Sequence, residues 1–107
     1  MSGTALVLTL VGRLGRAAAP LLDQALRASV VHPNRHLVID LSGIDYISSA
    51  GIAVLEDAVA RIRAGDGAVV VAGAPEAVRL TLSLSGILEK VRVEATRDDA
   101  LRVLNTN

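Results

Sequence analysis

Leu37-Val38-Ile39-Asp40-Leu41-Ser42-Gly43-Ile44-Asp45-Tyr46-Ile47-Ser48-Ser49-Ala50-Gly51-Ile52 is the stretch on which the reading of this chain turns. Its opening run Leu37-Val38-Ile39 is continuously apolar rather than alternating, as a parallel strand covered on both faces requires. A strand over 36–41 is therefore expected at the centre of a sheet. Ser42 and Gly43 then open a loop, and Ser48 or Ser49 can accept a hydrogen bond from the free amides at a helix start. The helix itself is marked by Ile52, Leu55, Val59 and Ile62, whose spacings of three and four place them on one face. A strand that passes through such a turn into a helix puts the turn at the C-terminal edge of the sheet, where α/β domains carry their functional residues. The connection 45–51 holds the densest group of hydroxyl and small side chains in the chain and is the candidate site.

Working outward, the segments on either side repeat the same alternation. Residues 4–11 form a first strand, ended by Gly12 and Gly15, and Pro20 sits in the first turn of a helix, where a missing N–H costs nothing. Leu21, Leu22, Ala25, Leu26 and Val30 give that helix an apolar stripe until Pro33 stops it. After the central helix, Gly65-Asp66-Gly67 turns the chain into a strand over 68–72, and Pro75 opens a third helix that ends near Gly86. A short strand over 91–94 follows. Thr96 and Asp99 resemble a capping box at the start of a last helix carrying Leu101, Val103 and Leu104. Strand and helix alternate four times, and right-handed crossovers between parallel strands then give an α/β domain with a mostly parallel sheet of about four strands.

A chain of 107 residues has room for one core, so residues 1–107 form a single domain. Hydrophobic residues make up 51% of it, yet Tyr46 is the only aromatic, and the interior must be built from Leu, Val, Ile and Ala. Eleven basic residues balance eleven acidic ones without runs of either sign, which removes the electrostatic drive for binding nucleic acid. There is no cysteine, hence no thiolate metal site or disulfide. No apolar stretch approaches the roughly 20 residues that span a bilayer, and the chain is read as cytoplasmic, without membrane insertion. No cofactor is implied.

Enzymatic chemistry does not assemble around the site. A nucleophile elbow needs glycine two residues on either side of its serine, whereas Ser49 has Ile47 before it and Gly51 after it. His32 and His36 are four apart, but Pro33 between them rules out one helical face for both. Gly65-Asp66-Gly67 lacks both the third glycine of a dinucleotide fingerprint and the Lys-Ser/Thr of a phosphate loop.

The quoted stretch resembles the central segment of STAS domains, in which an apolar strand leads to an aromatic residue, a hydroxyl-rich turn and a glycine at the helix start. Gly12-Arg13-Leu14 resembles the family's Gly-x-Leu turn, Gly73-Ala74-Pro75 its entry to the third helix, and Leu84-Ser85-Gly86-Ile87 the end of that helix. The four motifs stand in the family's order and cover nearly the whole chain. The branch they resemble is that of the anti-sigma-factor antagonists. There, a serine in the turn is phosphorylated by a kinase that is also the anti-sigma factor, and a phosphatase can reverse the mark. Ser49 matches that serine. The resemblance implies a protein-binding regulator, not an enzyme, that contacts its partner through Arg13, Leu14, Gly15, Tyr46, Ser48, Ser49, Ala50, Gly51 and Ile52.

Three departures bear on that expectation. Ser48 and Ala50 flank Ser49, where the best-known members carry Asp before it and Ser or Thr after it. Gly15 stands where the antagonists have an Asp that engages the kinase, and Ala18 replaces a nearby hydroxyl residue. The family's first hairpin is one strand short here, so the outer edge of the first strand is expected to be free to pair, as in a homodimer. Two other functions fit the family: an accessory subunit of a transporter or signalling complex, and a nucleotide-binding module.

Overall fold

The computed structural model describes residues 5–29 and 36–105. Four strands alternate there with four helices: β1 (Ala5–Leu14), α1 (Ala19–Ser29), β2 (His36–Ile47), α2 (Ser49–Ala64), β3 (Val69–Ala72), α3 (Glu76–Ser85), β4 (Arg92–Glu94) and α4 (Arg97–Asn105), with a single 3-10 turn, Ile87–Glu89, before β4. The sheet order is β1-β2-β3-β4 and every pairing is parallel. Each crossover thus steps one strand in the same direction, and connections of one hand must then lie on one face. Side chains of α1, α2 and α3 accordingly share one cluster with Leu37, Ile39 and Val71, while Ala100 and Leu104 of α4 pack on Val38, Val70 and Ala72 from the other side. No helix among the described residues is long and apolar enough to cross a membrane.

The expected α/β alternation and the central place of the 36–41 segment are both found, but β1 and β2 run further than the sequence reading placed them. β2 continues through Ser42 and Gly43 to Ile47, so these two residues lie in a strand and do not open a loop. The pairing explains why the strand was hard to see. Thr9 and Val11 pair with Asp40 and Gly43, and Gly12 and Arg13 with Ile44 and Tyr46, so β2 carries one extra residue at each of two bulges. Buried positions after Leu41 therefore recur at Ile44 and Ile47, a spacing of three that matches neither strand nor helix. β1 passes through Gly12 at φ 101°, a left-handed conformation open to glycine, and ends at Leu14 rather than at residue 11.

Smaller differences have similar causes. In α1, Leu22 and Leu26 are buried, but Leu21 is 70% exposed and Ala25 faces solvent, so the contact stripe is narrower than expected; Val30, His32 and Pro33 lie outside the described residues. At α4 the Thr96 hydroxyl accepts from the Asp99 amide at 3.1 Å, as a capping residue should, but Asp99 turns to Arg102 at 3.0 Å and the box is half closed.

One charged residue is buried in the sheet. Asp40 lies on the α4 side of β2, and its Oδ1 accepts from the Ser42 amide at 3.0 Å and the Ser42 hydroxyl at 2.7 Å. Its Oδ2 accepts from Arg97 Nε at 3.2 Å and Nη2 at 2.9 Å, and the same guanidinium donates to Thr9 Oγ1 at 3.2 Å. The first residue of α4 is thereby tied to β1 and β2 together. Burial pushes the Asp40 carboxyl up, but the donors from Ser42 and then Arg97 outweigh it and hold the group below its usual value. A carboxyl lowered on folding stabilises the native state above its unfolded value, near 4, and loses that contribution as pH falls through the folded value. Asp40→Asn should therefore cost about 1–3 kcal/mol at neutral pH, with the gap to wild type closing below about pH 4. Urea unfolding across pH measures this, and a gap that does not change with pH would show that the carboxylate charge is not what Arg97 and Ser42 hold.

Candidate functional site

The site is built where β1 and β2 end side by side, with Leu14 paired to Ile47. The Ser48 amide donates to the Leu14 carbonyl at 2.9 Å, and the Ser48 hydroxyl donates to the same oxygen at 3.2 Å. That hydroxyl also accepts from the Gly51 amide at 3.2 Å, while the Ser48 carbonyl takes the Ile52 amide at 2.9 Å. Of the two serines that could cap α2, it is Ser48 that does so, with the extended backbone of an N-cap. Ser49 is the first residue of the helix and is exposed.

Gly51 is held by the same corner. A Cβ on it would lie 2.8 Å from the Leu14 carbonyl oxygen and 3.2 Å from Ile47 Cγ1, so only glycine lets the first turn of α2 approach β1 this closely. Ile52 is buried behind it. On the outside, the guanidinium of Arg13 sits over the Tyr46 ring, 4.4 Å from its centroid, at adjoining register positions of β1 and β2. Tyr46 is 42% exposed, so it is a surface residue rather than part of the core.

The nine residues singled out from the sequence thus fall at one corner in three sets. Arg13, Tyr46 and Ser49 are exposed, Gly15, Ser48 and Ala50 are half-buried, and Leu14, Gly51 and Ile52 lie beneath them. Gly15 has no positive φ, and a Cβ there would meet only Tyr46 Cε2, at an ordinary 3.8 Å, so the backbone does not demand glycine at this position. The sequence reading missed Val11, which is 80% exposed and paired in register with Gly43. Its position in an apolar run gave no sign of exposure; the only hint was Gly43, which places no side chain beside it.

The Ser48 hydroxyl is engaged with backbone groups, and His36 lies at the opposite end of β2, where its Nδ1 accepts from the Ala68 amide at 3.0 Å. Among the described residues no group of three or more His, Asp or Glu side chains could hold a metal ion. The first turn of α2 carries no acidic residue, so the positive end of the helix is uncompensated beside Ser49. Because Ser48 supplies the cap, Ser48→Ala should cost about 1 kcal/mol of stability and Ser49→Ala within about 0.5 kcal/mol. Denaturant titration of the two variants checks this; the reverse order would assign the cap to Ser49.

Comparison with known proteins places this geometry in a family. The STAS domain model matches residues 2–100. BtrV of Bordetella bronchiseptica, which bears the name anti-sigma factor antagonist, is 33% identical over 101 residues, covering 94% of this chain and 87% of its own. The crystal structure of an anti-sigma factor antagonist from Mycobacterium paratuberculosis superposes with a TM-score of 0.84 at 30% identity, over 94% of this chain and 85% of that one. The STAS domain of a SulP transporter from Vibrio cholerae shares the fold, with a TM-score of 0.73 at 24% identity, over 94% of this chain and 79% of that one. With the family's model running through the sheet, the Ser48 corner and all three helices of one face, the chain belongs to the STAS domain family.

Proposed function

We propose that the protein is an anti-sigma-factor antagonist that docks an anti-sigma factor, itself a serine kinase, on the surface around Ser49, and that phosphorylation of Ser49 ends the docking. The observation that carries this reading is the division of labour between the two serines. Ser48 holds the corner together, and Ser49, exposed on the first turn, is not needed for it. In the reaction the γ-phosphoryl of ATP passes to Ser49 Oγ, the hydroxyl proton leaves to the kinase, and ADP departs. The product carries about −1.5 to −2 charges at a helix N-terminus, where the macrodipole favours them, so the domain stays folded. Docking is what changes, because the phosphate must be desolvated inside the contact. Arg13 and Tyr46 supply the exposed part of the docking face, while Leu14, Gly51 and Ile52 set its shape from below. The domain itself performs no catalysis, and a phosphatase restores the docking form.

Gly15 favours a second reading, a STAS accessory subunit that binds through the same corner without being modified. The two readings separate on one substitution. Since the backbone at Gly15 accepts a side chain, Gly15→Asp should fold normally; it should strengthen kinase docking if the switch operates and leave an accessory contact unchanged or weaker.

Ser49→Asp should leave the unfolding midpoint nearly unchanged and weaken binding to the anti-sigma factor by about 1–3 kcal/mol, whereas Ser49→Ala should bind as wild type. Calorimetry with the purified kinase measures both, and mass spectrometry after incubation with ATP locates the phosphate. If Ser49→Asp binds as tightly as wild type and no phosphate is found on Ser49, the switch is refuted and the accessory reading leads.

A further inference from the structure

The edge of the sheet opposite Ser49 carries a feature that the docking face does not use. A cleft of about 350 Å³ opens where β3 and β4 begin, between the end of α2 and α4. Three cations line it: Arg63 from the last turn of α2, Lys90 from the residue after the 3-10 turn, and Arg92 from the start of β4. Its apolar wall includes Val69, Val103 and Leu104. Among the described residues no acidic side chain lines the cleft. Among the described residues neither Arg63 nor Lys90 has an acidic partner within ion-pair distance, while Arg92 is held by Glu94 at 2.7 Å. Arg63 and Lys90 also line an adjoining cleft of about 460 Å³, where Glu56 is present, so the acid-free cleft is the better seat for an anion.

Among the other described cations, Arg16 and Arg79 also lack an ion pair, but neither lines this cleft. Arg27, Arg61, Arg97 and Arg102 are each drawn onto a carboxylate close by. Nearby backbone amides cannot serve as donors here, because that of Gly67 goes to the Ile62 carbonyl at 2.9 Å and that of Ala68 to His36. Recognition therefore falls to the side chains. Unpaired cations converging on a concave, partly apolar wall of this size match a small ligand with a charged head and an apolar stem.

We propose that this cleft binds a phosphate monoester bearing a short apolar group, with Arg63 and Lys90 on the phosphoryl oxygens and the stem against Val103 and Leu104. Arg92, already paired, contributes mainly long-range field. The site is independent of the docking face: it lies at the starts of the strands, and Ser49 lies beyond their ends. It does not rest on the proposed antagonist function.

The test uses hexyl phosphate and, separately, inorganic phosphate, titrated into the full chain with amide chemical shifts followed by NMR. The expected result is saturable binding of hexyl phosphate, with shifts concentrated at Gly67, Ala68 and Lys90 and tighter affinity than for inorganic phosphate. Arg63→Gln and Lys90→Gln should each weaken it about tenfold, the scale of one charge-assisted hydrogen bond, without moving the thermal midpoint. Ser49→Asp should leave it unchanged. Vesicles containing phosphatidic acid, in a parallel arm, distinguish a lipid headgroup from a soluble ester as the source of the same chemistry. Absence of saturable binding to both probes, or equal binding by the Arg63→Gln, Lys90→Gln double variant, overturns the proposal.

Discussion

The Leu14 carbonyl accepts two hydrogen bonds from Ser48, one from its amide and one from its hydroxyl, and the rest of the functional corner is arranged around that oxygen. The end of β1 is fixed against the start of α2 by it. The same oxygen would sit 2.8 Å from any Cβ on Gly51, so one atom both anchors the corner and dictates the residue that can lie over it. Once Ser48 is committed to Leu14 and Gly51, its neighbour Ser49 is exposed on the first turn of a helix whose direction is fixed. Because Ser48 alone carries the cap, the Ser49 side chain is not needed to hold this corner together.

Asp40 plays a comparable part at the middle of the sheet. Three helices cover one face, so α4 alone closes the other, and it does so with little apolar surface, chiefly Ala100 and Leu104. The Arg97 contacts to Asp40 and Thr9 locate its first turn over β1 and β2. A buried carboxylate is tolerated because four donors converge on it in that one geometry; removing Arg97 would leave its charge without a counterion in the interior. Because Ser42 is one of the donors, the same network sets the conformation of β2 where its first bulge begins.

The molecule therefore has two chemically distinct ends. At the strand ends, small residues and hydroxyls surround an exposed serine, with Arg13 stacked on Tyr46 as the one strong polar anchor. At the strand starts, cations gather around a cleft with few countercharges. Parallel topology produces this separation, since every strand begins at one edge and finishes at the other.

By itself the sequence determined that the chain alternates strands and helices, that 36–41 is central, that the corner at 45–51 is where hydroxyls and small residues collect, and that no run of charge or cysteine directs it elsewhere. These are properties of periodicity and composition, and they survive without knowledge of neighbours. Tertiary structure alone decided the rest. Two bulges gave β2 a burial spacing of three, which no local pattern announces, and so carried it through Ser42 and Gly43 to Ile47. Which serine caps α2 depended on the position of the Leu14 carbonyl, 34 residues away in the chain. Val11 was placed in solvent, and Arg63 beside Lys90, by the packing of distant segments. Local sequence fixes what each element can be, but hydrogen bonds and packing between elements far apart in the chain fix which of its side chains remain free to act.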